Sequence, residues 1–178
     1  MKHMIAAVRT PEEFAFALQT KVEVLFMLAT NLKEVSGQIK DAHDAGKKIF
    51  VHIDLAEGIG KDEYGLRYLK EQGADGVIST RTNLIKMAKK NDIFTVQRFF
   101  VVDSHSLDTT IESAKVSKAD MIEIMPGTLG KVISRIKKEL DIPVVVGGLI
   151  ETEEEIREAL GWGATAISTG EKKYWGKM

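Results

Sequence analysis

Cysteine is absent from the 178 residues, which excludes disulfides, thiolate metal sites and a cysteine nucleophile. Long hydrophobic runs are absent too: none approaches the roughly 20 apolar residues that cross a bilayer. The opening MKHMIAAVRTPEEF turns into acidic, helix-like sequence before any long apolar region develops, an expectation against a signal peptide. Neither sign of charge dominates; the formal net charge is −1 and the pI about 6.4. A dedicated nucleic-acid binder usually carries a basic excess, so any such role here depends on a local patch. No serine–histidine–acid triad follows from the spacing, and no strand ends in the lysine a Schiff-base aldolase requires. What is present is ordinary for a globular chain, 44% hydrophobic and 29% charged residues, and the length fits one domain over 1–178. A reducing, cytoplasmic setting is compatible with these absences.

Short apolar runs alternate with amphipathic segments from end to end. The runs at 4–8, 22–28, 48–53, 75–79, 93–98, 120–124, 143–147 and 164–168 read as strands, mostly rich in Val and Ile and too short for helices. Helices are expected at about 11–18, 31–45, 61–72, 81–90, 105–117, 128–140 and 152–160. Thr10-Pro11-Glu12-Glu13 and Thr152 with its three following glutamates read as helix starts. Gly46, Gly73 and Gly161 read as helix ends. Eight strands alternating with helices point to an α/β fold, a compact (β/α)8 TIM-like barrel rather than an open doubly wound sheet. Only YWGKM remains where an eighth helix belongs, so that helix is reduced or missing.

In such a barrel the C-terminal strand ends and the loops beyond them form the functional face. Polar groups collect there: Arg9, His52, Asp54, Ser79, Thr80, Gln97, Arg98 and Glu123. The last two strands end instead in Gly147-Gly148 and Ser168-Thr169-Gly170. Many barrels seat a phosphate between those two loops, on backbone N–H groups and a helix N-terminus. Glycine lets the backbone approach an anion, and hydroxyls add donors. These five residues are therefore the expected phosphate site. His52 and Asp54 with Glu57 could share a divalent cation, or His52 and Asp54 could orient a ligand hydroxyl. Lys61 either reaches an anion or starts a solvated helix. His105 reads as a helix start, His3 and His43 as surface residues, and Trp162 and Trp175 as packing residues.

AAVRT (6–10), HIDLAEGIGKDEYG (52–65), GVISTRTNLI (76–85), TVQRFFVVDS (95–104), IEIMPG (122–127), VVGGLI (145–150) and AISTG (166–170) follow one another along nearly the whole chain. In this order they resemble the glycerol-3-phosphate-responsive antiterminator family, regulators of glycerol uptake operons. The resemblance implies a TIM-like barrel without recognised catalytic activity; no cofactor or metal is expected. It also implies that glycerol 3-phosphate is sensed and that leader mRNA is bound so that transcription reads past a terminator. The phosphate would lie on Gly147, Gly148, Ser168, Thr169 and Gly170. The glycerol hydroxyls would face His52, Asp54, Gln97 and Glu123, with Arg9, Lys61, Ser79 and Arg98 as further pocket residues.

The alternative is an enzyme acting on a phosphorylated triose or glycerol phosphodiester, motivated by His52, Asp54, Glu57 and Glu123. Basic clusters that could meet RNA are Lys86, Lys89 and Lys90; Lys131, Arg135, Lys137 and Lys138; and Lys172, Lys173 and Lys177. No one cluster suffices alone, so a homo-oligomer is expected.

Overall fold

The apolar runs become strands because each is buried on both faces, the situation of a parallel sheet wrapped by helices. The structure, a computed structural model, describes residues 4–176, so His3 and Lys177 lie outside the described residues. The strands are β1 (Met4–Val8), β2 (Val24–Met27), β3 (Lys48–His52), β4 (Gly76–Ser79), β5 (Thr95–Phe100), β6 (Met121–Met125), β7 (Val144–Gly147) and β8 (Ala166–Thr169). Each pairs in parallel with the next, and β8 closes on β1. Seven helices follow the first seven strands, with one exception to simple alternation. They are α1 (Pro11–Leu18), α2 (Val35–Asp44), α3 (Glu63–Glu71), α4 (Thr82–Lys90), α5 (Ser104–Ser117), α6 (Gly130–Glu139) and α7 (Glu153–Gly161). The exception is a small parallel pair at the barrel mouth, Thr30–Asn31 with Ala56–Glu57, too short and polar to register in the sequence pattern.

Alternation along the strands sorts the core into layers. Ile5, Ala7, Phe26, Phe50, Ile78, Val96, Val145 and Ala166 fill the barrel interior. The opposite faces pack on helices, as Leu25, Ile49, Val51 and Val77 do with Leu66, Leu69 and Leu84. Ile122, Ile124, Val144, Val146 and Ile167 do the same with Ile133, Ile136 and Ile156.

Helix starts follow the side-chain chemistry. Thr10 and Thr152 each accept from the third helical N–H while Glu13 and Glu155 reach back to the cap. Gly46 and Gly73 lie just past helix ends with positive φ. Gly161 instead belongs to α7, and Gly163, at φ 106°, takes the left-handed turn expected of it. The reduced eighth helix is a 3-10 turn, Lys172–Tyr174. Trp175 behind it is buried against Phe16, and its ring N–H donates to the Thr169 carbonyl at 2.8 Å. One buried indole thus covers part of the seam where an eighth helix would pack. Among the described residues, no helix is long and apolar enough to cross a membrane.

Candidate functional site

The loops after β7 and β8 do enclose a cavity at the C-terminal face. It measures about 250 Å³ and is walled by Gly148, Ser168, Thr169 and Gly170, with Arg9 and Arg98 on the same lining. Two guanidiniums bordering one small space is an arrangement that only the barrel's closure makes possible, since Arg9 follows β1 and Arg98 lies on β5. Ala7, Leu28, Met125, Leu149 to Glu151 and Glu171 complete the walls, so two carboxylate side chains also border the space.

Arg98 is held by an internal network. Its Nε donates to Glu123 Oε2 at 2.6 Å, and the Ser168 hydroxyl donates to Glu123 Oε1. Glu123 is fully buried and Arg98 only 6% exposed. A buried ion pair of this kind orients more than it stabilises, because both charges must leave water. Arg98 Nη2 is buried and has no hydrogen-bond partner within the protein. A buried guanidinium donor with nothing to meet is costly in an apo fold, and an anion in the adjoining cavity would satisfy it.

Glycine has two distinct roles here. Gly148 lines the cavity at φ 72°, a left-handed conformation that favours glycine. Gly147 is not on the cavity wall. A Cβ there would meet Ser168 Oγ at 2.3 Å and Glu123 Oε1 at 3.1 Å, so its missing side chain leaves room for the Ser168–Glu123 hydrogen bond. The anticipated helix N-terminus contributes less than expected. Glu155 Oε2 accepts from the Glu151 and Thr152 N–H groups, and Thr152 accepts from Glu155. The first turn of α7 therefore caps itself with its own carboxylate, and the positive charge at the cavity comes from the arginines.

The residues expected at the glycerol end do not all converge. His52 continues the interior face of β3 beyond Phe50 and is buried. Glu123 also points inward, but both its oxygens are engaged by Arg98 and Ser168, so its assignment is corrected to positioning the arginine. Gln97 requires a correction of facing. Val96 and Arg98 take the inner face of β5, so Gln97 turns to the helix layer and donates to Thr82 Oγ1 of α4 at 3.0 Å. Asp54 sits in the turn after β3, where it accepts from Ser79 Oγ (2.7 Å), Thr80 N (2.8 Å) and Thr80 Oγ1 (2.9 Å). Ser79 is thereby spent on Asp54 rather than on the cavity. Lys61 donates to the carbonyls of Ala56 and Ile59, so it closes its own loop instead of reaching an anion. Glu57 is exposed in the short mouth strand, and no group of three potential metal ligands gathers among the described residues. The set that motivated acid–base or metal-assisted hydrolysis is dispersed or already bonded.

Burial, reinforced by the Arg98 charge and only partly opposed by Asp54, pushes His52 down to about 4. The imidazole is neutral at pH 7. Burial works against ionisation of Asp54 as well, but the Ser79 and Thr80 donors outweigh it and hold the carboxyl below its usual 3.8. These directions predict an acid-labile fold. Above the ordinary histidine value of 6.5 neither folded nor unfolded chain carries the His52 proton. Between 6.5 and about 4 only the unfolded chain takes it up, so stability falls as pH drops through that window. The full loss is roughly 3 kcal/mol. Asp54 contributes its own loss only below 3.8. Urea unfolding at pH 7 and pH 4 should show this slope in the wild type, and His52→Gln should flatten it. An unchanged slope in the variant would assign the acid lability elsewhere.

The model of the glycerol-3-phosphate responsive antiterminator family matches residues 4–175. The chain belongs to this family. Among solved structures, the glycerol uptake operon antiterminator regulatory protein of Listeria monocytogenes superposes with a TM-score of 0.92 at 32% identity, covering 98% of this chain and 95% of that one. A glycerol uptake operon antiterminator-related protein of Thermotoga maritima gives 0.89 at 34% identity, covering 99% of both. The Escherichia coli protein YgcP is 34% identical over 173 residues, 97% of this chain and 91% of its own. Membership of the antiterminator family makes the chain one of a family of regulators, and the barrel is the scaffold its similar structures share.

Proposed function

We propose that the chain senses glycerol 3-phosphate in the cavity between β7 and β8 and that its liganded state acts on leader RNA as a transcription antiterminator. The observation that carries the ligand half is the pairing of Arg9 with buried Arg98 around a small cavity walled by Gly148, Thr169 and Gly170. Two guanidiniums match a phosphate dianion in charge and geometry. His52 is neutral and buried and feels the Arg98 charge, but it does not line the cavity. The RNA half is supported by membership of the antiterminator family and by the likeness to the Listeria and Thermotoga antiterminator proteins.

Calorimetry with glycerol 3-phosphate, inorganic phosphate and glycerol tests the ligand half. The ester should bind best, phosphate more weakly, and glycerol least. At a hundred times its Kd the ester should add about 2.7 kcal/mol of stability to unfolding. Equal weak heats from the ester and from glycerol would sink the assignment.

A further inference from the structure

We propose that the groove along α6, between Trp162 and the α5–α6 surface, is where RNA docks, with one unpaired base on the Trp162 indole and the sugar-phosphate chain on Lys131 and Lys138. This rests on the RNA half of the preceding reading and adds to it a surface and a mode of contact.

The three basic clusters differ once their partners are known. Lys89 is paired with Asp120, and the groove beside it, lined by Arg67, Lys70 and Lys90, also contains Glu71 and Asp92. In the tail, Lys172 lies over the Phe16 ring, while Lys173 is bonded to the Glu151 carbonyl and lies over Tyr174. The α6 groove is different. It spans about 660 Å³ and is lined by Thr128, Gly130, Lys131, Ser134, Arg135, Lys138 and Trp162, without one carboxylate. Arg135 is shared with Asp108 and Glu139, but Lys131 and Lys138 have no ion pair among the described residues. In a chain of net charge −1, this groove among the described residues carries more uncompensated positive charge than the one beside Lys90.

The aromatic wall is built, not incidental. A Cβ at Gly130 would lie 2.4 Å from the Trp162 ring, so the indole rests directly on the first turn of α6 where any side chain would displace it. A half-buried, immobilised indole beside paired lysines matches the stacking platform and backbone track of single-stranded nucleic-acid sites. A second groove of about 320 Å³ shares Lys131 and Arg135 and continues across to the exposed Val102 and Leu129. Asp103 is the one carboxylate on this second groove.

The same groove begins next to the ligand cavity. Met125 lines that cavity, and two residues later the Gly127 N–H donates to the Gly148 carbonyl at 3.1 Å. The loop from Gly127 to Leu129 then leads into α6. An anion that fixes the Gly148 loop also fixes the start of the RNA groove, which gives ligand and RNA a physical route to change each other's affinity.

The test is filter binding of a pool of RNA hairpins with randomised loops, with and without glycerol 3-phosphate, across salt concentrations. Wild-type binding should rise with the ester and fall steeply with salt. Lys131→Glu/Lys138→Glu should weaken it by at least about ten-fold, and Lys86→Glu/Lys90→Glu by less than about two-fold. Trp162→Phe should retain binding, and Trp162→Leu should lose about ten-fold. Equal losses from the two lysine pairs, or none from the α6 pair, would overturn the groove assignment. Calorimetry on every variant keeps the failures apart. RNA binding that ignores the α6 pair defeats this inference alone; normal ester binding by a wild type that retains no RNA defeats the RNA half of the preceding reading as well; absent ester binding defeats its ligand half. A change in sedimentation of the α6 pair with RNA binding intact would give this surface to a second copy of the chain and overturn the inference.

Discussion

Arg98→Met is expected to abolish measurable glycerol 3-phosphate binding and to destabilise the fold at the same time. Binding should weaken at least about 100-fold, because the substitution removes a buried guanidinium whose Nη2 has no partner within the protein. Stability should drop by about 3–5 kcal/mol, because Glu123, fully buried, would be left as an uncompensated charge. The two losses have different causes and can be separated. Arg98→Met/Glu123→Leu removes both charges, and its stability should return to within about 2 kcal/mol of wild type, the Ser168 hydroxyl losing only its acceptor. Its ester binding should stay lost. Urea unfolding and calorimetry on the three proteins decide the matter. An Arg98→Met protein that still binds the ester at wild-type affinity would remove Arg98 from the ligand site. Because the Arg98 charge helps to depress His52, the imidazole should also titrate closer to 6.5 in the single variant, which proton NMR can follow.

Gly147→Ala is expected to damage the site from beneath, without touching the cavity wall. The added carbon would lie 2.3 Å from Ser168 Oγ and 3.1 Å from Glu123 Oε1, and both neighbours are buried in an interior that cannot flow around it. Overpacking of this kind costs about 1–3 kcal/mol. The value should fall at the upper end, since the easiest relief breaks the Ser168–Glu123 hydrogen bond. Loosening Glu123 loosens Arg98, so ester affinity should fall about ten-fold even though the cavity keeps its lining. Ser168→Gly in the same chain removes the nearest clashing atom and should recover most of the lost stability. If Gly147→Ala is as stable as wild type, the clearance argument fails. If the double variant is no more stable than the single one, the strain lies against the backbone instead.

At β7 and β8 the strands stop in residues with almost no side chain, a signal that needs no knowledge of orientation, and four of the five residues read there wall the cavity. At β5 the sequence reads VQR within a strand buried on both faces, so apolar alternation does not reveal which of Gln97 and Arg98 faces inward. The pairing of β5 with β4 and β6 resolves it, putting Val96 and Arg98 inside. Lys61 was ambiguous for a similar reason: whether a lysine after a glycine loop reaches outward or folds back depends on carbonyls that only the folded loop presents.

By itself, then, the sequence determined the barrel, the order of its elements and the face that carries the candidate site. Those properties depend on local periodicity, capping residues and glycine placement, and all of them are written within a few residues of one another. Thr10 and Thr152 cap their helices as their local sequence dictates. Tertiary structure alone decided the charge of the site. Arg9 and Arg98 meet only because β8 closes on β1, and Glu123 became a support for Arg98 because β5 and β6 pair in a register that sets them side by side. The same holds for Trp162, whose place on Gly130 comes from the packing of α7 against α6. Contacts between residues far apart in the chain depend on closure and register, and a one-residue change in either turns a side chain to the opposite face.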